Sequence, residues 1–544
     1  MDKDQKDNTQ ASTTASPVWL RTCEKETLQP VEGKVKGNLP PWLNGRLTRN
    51  GPGKVQYGKT RFNHLFDGSS YVHQFIINDG KVFYQSRYLQ SDAYKKNTKA
   101  DRIVVSEFGT AAYPDPCKNI LQRFMSHFTP ITKVDPTDNC VVNVCHYGDQ
   151  LYALTETKNM RRIDPETLAT VGEKTKLDQY IAVNTATAHP HVDPDGTVYN
   201  MGNSYANKKG PTYNIIKFPP PKVVNGQNLS SVEQAEIIAT IPCQWKMYPS
   251  YYHSFGITDN YFVFVEQPFV FNLKKFLLNH YLHRPYLGAV EWYADQKTKF
   301  RVVRRDTLEL MKTTYVTDAF VTFHHTNAFE KDGQLVVDLA AMDDGKVINQ
   351  FMLRNFEKSE HEISAKMLST HRRFVLPLEV DDVSADTNLV TLKDTKCSAY
   401  KRRDGTIQLQ AEVISKQAFD LPRINYKYNG KEYTYAYGVE VNTKAEFAEL
   451  VKMNVQTGET WLWREEGKLV SEPVFVATPG GTREDDGVVL STIIAKADPK
   501  FVALLVLDPE TWTEMARVEF QACGTVPSTF HGQFAAADQT VHLY

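Results

Sequence analysis

A short pattern recurs along this chain: an apolar strand-like run, Asp or Asn, up to two residues, Thr, then another such run. It stands at Asp164-Pro165-Glu166-Thr167, Asp306-Thr307, Asn454-Val455-Gln456-Thr457 and Asp508-Pro509-Glu510-Thr511. The first two spacings are 142 and 148 residues. They are close to twice a unit of about 70 residues, whereas the last spacing fits less well. A β unit repeated at this length predicts propeller blades with long loops. About 500 folded residues at about 70 per blade predict an all-β, seven-bladed propeller, with helical and loop inserts capping its axis. An array of β-sandwiches is the alternative, but it offers no common axis on which distant residues meet.

Turn chemistry supports a β protein. Asn44-Gly45, Asp67-Gly68, Asp79-Gly80, Asp195-Gly196, Asp332-Gly333, Asp404-Gly405, Asn429-Gly430 and Asp486-Gly487 all suit hairpin turns, which need positive φ. Long amphipathic helices are scarce. Residues 1–29 form a polar tail and lead-in, with disorder expected over 1–18, and the propeller is expected over 30–544.

Composition excludes several classes. The formal net charge is −1 over 544 residues, so no global field recruits nucleic acid. The seven cysteines form no CxxC pair, which argues against a disulfide framework or a thiolate zinc site. The first residues lack an apolar h-region, and no run of about 18 apolar residues occurs. The expected location is the reducing cytoplasm, with peripheral membrane contact through two stretches. One is 114–128, where Ile120, Leu121, Phe124, Met125 and Phe128 make a helical stripe beside Cys117, a candidate for acylation. The other is 268–293, with Phe271, Leu273, Phe276, Leu277, Leu278, Tyr281 and Leu282 around Lys274 and Lys275. Each suits an interfacial helix as well as an ordinary one packed on the propeller.

Histidine spacing points to the axis. His189, His253, His324 and His531 are separated by 64, 71 and 207 residues, about one, one and three blades. On a propeller, equivalent positions of different blades meet at the centre. Four imidazoles there bind a divalent first-row metal. The fifteen histidines allow other choices. His324 is followed by His325, and a pair of this kind also suits one core-facing and one solvent-facing ring. A metal-bound His donates its second N–H to a carboxylate. Glu156, Asp420 and Glu472 lie in apolar β runs and suit that role, but spacing does not single them out from other acidic residues, which cap turns or pair with Lys and Arg.

From about Pro30 to Phe534 the chain resembles the carotenoid cleavage oxygenase family in its animal branch. The motifs are Asn50-Gly51-Pro52-Gly53, Phe66-Asp67-Gly68, Pro114-Asp115-Pro116-Cys117-Lys118-Asn119, Ala188-His189-Pro190-His191, His253-Ser254-Phe255-Gly256, Glu484-Asp485-Asp486-Gly487 and Phe530-His531-Gly532. The resemblance implies Fe(II) on the axis of a seven-bladed propeller, held by His189, His253, His324 and His531. It implies that Glu156, Asp420 and Glu472 orient three of these ligands. Asp420 departs from the family's Glu, and its shorter side chain either holds His324 differently or reaches it through water. Phe62, Phe108, Thr155 and Tyr251 would line the substrate cavity.

The implied reaction is O2-dependent cleavage of the central double bond of a carotenoid, such as β-carotene or zeaxanthin, to retinal. The insect members, which the chain resembles most, also isomerise one half to 11-cis. Eccentric cleavage, or hydrolysis and isomerisation of retinyl esters, is the alternative within the family. Oligomeric state is not legible.

Overall fold

The computed structural model describes residues 17–119, 135–205, 210–357, 367–380, 387–442 and 447–542. Seven sheets succeed one another along the chain as the blades of a propeller, antiparallel throughout except where Tyr315–Thr317 of blade four pairs parallel with Ile407–Gln410. From the innermost strand outwards, blade two is Asn143–Tyr147, Gln150–Leu154, Asn159–Ile163 and Thr170–Lys176. Blade three begins with the short segments Thr185–Ala186 and His191–Val192, blade four with Gly256–Ile257, and blade five with Val321–Lys331. Blade six begins with Asp420–Arg423 and blade seven with Lys468–Val470 and Val474–Ala477.

Blade one closes the ring. Its innermost strand is the C-terminal Gly532–Ala536, paired with Gly45–Lys54. A second closure comes from Lys34–Gly37, which adds an outer strand to blade seven along Thr513–Gln521. Pairing both ends across the seam leaves fewer open strand edges. The fold therefore begins before Pro30: Val18, Leu20 and Cys23 are buried, Arg21 donates to the carbonyl of Ala495 at 2.6 Å, and Thr27–Glu32 is a strand of blade one.

The recurring Asp/Asn–Thr pattern has one structural job. In blades two, four, six and seven it follows the third strand and turns the chain towards the fourth. Asp164 Oδ1 accepts from the amides of Glu166 and Thr167, and Asn454 and Asp508 do the same for their own turns. Such side-chain-capped turns replace a backbone turn locally. The residue after the Thr takes positive φ in all four: Leu168 (56°), Leu308 (60°), Gly458 (78°) and Trp512 (56°). The 54-residue gap that fitted poorly is thus a single blade, and the longer gaps are two.

The turn dipeptides divide. Asp79-Gly80 and Asp332-Gly333 are two-residue hairpins with both φ positive, whereas Asn44-Gly45 and Asp486-Gly487 run straight into strands. Asp67 is buried in a 3-10 turn, where its carboxylate anchors a loop instead. Apolar side chains pack between the faces of neighbouring blades, as where Leu47 and Phe75 of blade one meet Leu490 and Leu504 of blade seven. Each such fully buried side chain contributes about 1.5–3 kcal/mol.

Inserts cover the axis. Within 268–293, Phe269–Phe271 pairs with Val290–Trp292, and the helix Leu273–Tyr281 rises between them, capped by Asn272 accepting from the amide of Lys275. Leu277, Leu278, Tyr281 and Leu282 are exposed on it. In the other stretch Cys117 is exposed, and the helical stripe over 120–128 lies outside the described residues.

Candidate metal centre

His189, His253, His324 and His531 come from the first strands, or their lead-ins, of blades three, four, five and one. One ring nitrogen of each lies within 4.8 Å of the others. The Nε2 atoms of His189 and His531 are 3.2 Å apart. Blade spacing thus converges on the axis as propeller geometry requires. The adjacent histidines separate because successive side chains of the strand Val321–Lys331 point to opposite faces. His324 turns to the centre, and His325 hydrogen-bonds Ser254 Oγ at 2.9 Å through Nδ1.

The three remaining blades each supply a carboxylate. Blade six places Asp420 Oδ1 2.7 Å from His324 Nδ1. Blade seven places Glu472 Oε1 2.8 Å from His531 Nδ1. Blade two brings Glu156 onto His253 Nδ1, and Tyr251 donates its hydroxyl to Glu156 Oε2 at 2.9 Å. Asp420 reaches its histidine directly, with no water needed. Its strand is bulged between Asp420 and Arg423, and Leu421 sits at φ 50°.

A carboxylate at Nδ1 fixes the tautomer and leaves Nε2 with a lone pair aimed at the centre. Burial, then the neighbouring imidazoles, push His189 well below the ordinary histidine value, and burial takes His531 down to about 4. Both rings are neutral at neutral pH, as ligation demands. Burial alone would raise Glu472, but Arg423, His531 and Arg49 outweigh it and hold the carboxyl at about 2. Asp420 is likewise lowered, because His324 overcomes the burial.

The donor set fits a divalent first-row metal. His324 Nε2 is buried without a hydrogen-bond partner in the protein. A buried polar atom left that way is costly unless something binds it. Imidazoles suit iron as well as zinc or copper, and a four-histidine set leaves up to two octahedral positions open on iron.

Above the centre lies a cavity of about 1240 Å³ whose wall includes His253, His324 and His531. That exceeds the about 300–1,000 Å³ typical of small-molecule sites. Phe66, Phe108, Tyr251, Phe323, Phe351 and Phe530 line it. Phe66 stacks on Phe351 at 5.1 Å and meets Phe530 edge-on at 5.5 Å. Phe108, Thr155 and Tyr251 belong to that lining. Phe62 does not: it packs edge-on against Tyr57 in a core cluster with Val55, Leu65 and Ile103, behind the wall that Phe66 occupies. Phe323 and Phe530 directly precede His324 and His531, so adjacency to a ligand was the signal available for them. The guanidiniums of Arg49 and Arg423 around Glu472 carried no such signal.

Fold and site together define the class: a seven-bladed propeller with a four-histidine metal seat under an aromatic cavity. Residues 20–536 match the family described as retinal pigment epithelial membrane protein. The chain is 43% identical over 507 residues to the β,β-carotene 15,15′-dioxygenase of Mus musculus, covering 92% of this chain and 88% of that one. It is 42% identical over 528 residues to the mitochondrial carotenoid-cleaving dioxygenase of Mustela putorius furo, covering 95% of each. Among solved structures, a variant of Synechocystis apocarotenoid oxygenase superposes with a TM-score of 0.73 at 22% identity, covering 95% of this chain and 98% of that one. The chain belongs to the carotenoid cleavage oxygenase family, whose members include the retinal pigment epithelial membrane protein and the carotenoid dioxygenases.

Proposed function

We propose that this protein is an Fe(II)-dependent dioxygenase that cleaves the central double bond of a carotenoid, such as β-carotene or zeaxanthin, to retinal. The observation that carries this reading is the convergence of four imidazoles, three of them in the wall of an aromatic-lined cavity. Relatives 41–43% identical, named β,β-carotene 15,15′-dioxygenase, support the choice of bond. Held by these four histidines, Fe(II) would supply the chemistry that activates O2 towards an alkene, and splitting C=C with O2 into two carbonyls consumes no external reductant.

His189, His253, His324 and His531 are the residues that would hold the metal, and Glu156, Asp420 and Glu472 keep three of the rings aimed at it. Phe66, Phe323, Phe351 and Phe530 present ring faces and edges to a conjugated chain and exclude water from it. Aromatic faces also stabilise positive charge developing on a polyene, which eases rotation about its bonds. The proposal includes release of one retinal half as the 11-cis isomer, which the resemblance to the isomerising insect members implies and which such easing of rotation would assist.

The substrate lives in membranes, and the exposed Leu277, Leu278, Tyr281 and Leu282 form a docking face beside the cavity residues Leu273 and Phe276. No helix among the described residues is long and apolar enough to cross a membrane. The reading is tested by giving iron-loaded protein β-carotene in detergent under ¹⁸O2. Labelled retinal, part of it 11-cis, is expected. A longer apocarotenal, or retinol from an added retinyl ester without O2 uptake, overturns it.

A further inference from the structure

Asp420 and Arg423 lie three residues apart on one four-residue strand. In a regular strand such residues face opposite sides. Here the register shifts between them, and Leu421 takes a left-handed conformation that side chains other than Gly seldom adopt. Both side chains therefore reach the axis. Asp420 holds His324. The Arg423 guanidinium places Nε 3.1 Å from Glu472 Oε1 and Nη2 3.4 Å from Oε2, and it donates to the carbonyl of Gly532, the residue after His531. Arg49 Nη1 stands 3.6 Å from the same carboxylate. Among the described residues, no Lys or Arg forms an ion pair with Asp420 or Glu156, whose side chains meet His324, and His253 with Tyr251.

We propose that Arg423 is a positioning residue that sets the charge of the metal seat, keeping bound iron in the reduced state by drawing the charge of Glu472 away from His531. The identity of the metal rests on the function proposed above. A carboxylate that pulls on a ligand's N–H makes that imidazole a stronger donor and favours the higher oxidation state. Three such carboxylates around a doubly charged ion leave the seat net negative. The two guanidiniums beside Glu472 return it to net positive, and both act through one ligand, His531. The bulge gives the strand its purpose: one short segment mounts two ligands, one through an unneutralised carboxylate and one through a neutralised one.

The test is anaerobic loading of metal-free protein with Fe(II), with the ratio of Fe(III) to Fe(II) affinity read from the midpoint potential. Arg423→Gln should raise that ratio by about tenfold, and Arg423→Lys, which keeps the charge, should hold it within about twofold. Arg49→Gln, which removes the more distant cation, should raise it less, and serves if Arg423→Gln does not fold. The spectrum of the cobalt(II)-loaded variants reports whether the four-imidazole geometry is kept. An unchanged ratio in both Gln variants, or an equal rise in Arg423→Lys, overturns the inference alone. Failure of the wild-type chain to bind iron overturns the iron reading and this inference with it.

Discussion

The axis and the packing around Phe66 and Phe108 both take carboxylates out of water, and they shift them in opposite directions. At the axis, Glu472 is kept at about 2 and Asp420 below its ordinary value, because imidazoles and guanidiniums face them. Next to Phe66, behind the cavity wall, burial pushes Asp67 up to about 7, although the amide of Gly109 and the hydroxyl of Thr110 donate to it. Burial, with Asp67 and Asp138 nearby, pushes Glu107 well above the usual range, and Thr137 Oγ1 is its donor at 2.6 Å. Hydrogen bonds from neutral groups do not replace a cation once water is gone. Carboxylates that face imidazoles or guanidiniums thus keep their charge, and those that face only neutral donors are driven towards the neutral form.

That contrast breaks most severely at the ligands. His324→Ala should lose the metal, with activity down at least about 10³-fold, since a bound metal supplies several kcal/mol of stabilisation. Metal content and turnover measured together check this. Asp420→Asn and Glu472→Gln should each cost about 10–100-fold in metal affinity. Only the second should also cost about 3–5 kcal/mol of stability, because it strands Arg49 and Arg423 without their counter-charge. Urea unfolding of the metal-free variants separates the two.

Phe62→Ala should cost about 3–5 kcal/mol of stability and leave KM unchanged. Phe66→Ala should raise KM for carotenoid, because it opens the wall itself. If the two behave alike, the wall is misassigned. Leu278→Glu should weaken vesicle binding, with turnover in detergent unaltered.

The smallest effect is a pH dependence. Asp67 binds its proton more tightly folded than unfolded, so its stabilising contribution is complete below the ordinary carboxyl value of about 3.9. It is lost as pH rises through about 7. The urea midpoint should fall across that window, and Asp67→Asn should flatten the fall.

How far the sequence could be read follows the same division. The axial histidines were legible because a propeller converts blade spacing into convergence, and three blades separate His324 from His531. The carboxylates were less so, since Glu156 follows the second strand of its blade while Asp420 and Glu472 belong to the first. Arg423 was invisible, because a bulge, not alternation, turns it inward. The wall is built largely from inserts and loops, which carry no period, so Phe62 and Phe66 were not distinguishable from spacing. The charge state of a buried carboxylate depends on partners about a hundred residues away, as with Asp420 and His324, and a local reading of the chain cannot supply it.

Four blades each offer one imidazole to a single metal site, and the other three each hold one of those rings in place. X-ray absorption on protein loaded anaerobically with Fe(II) tests this arrangement most directly. One iron per chain, showing the multiple scattering of four imidazoles and no carboxylate oxygen from the protein, is the predicted result. Fewer imidazoles, or a carboxylate bound to the iron, would contradict it.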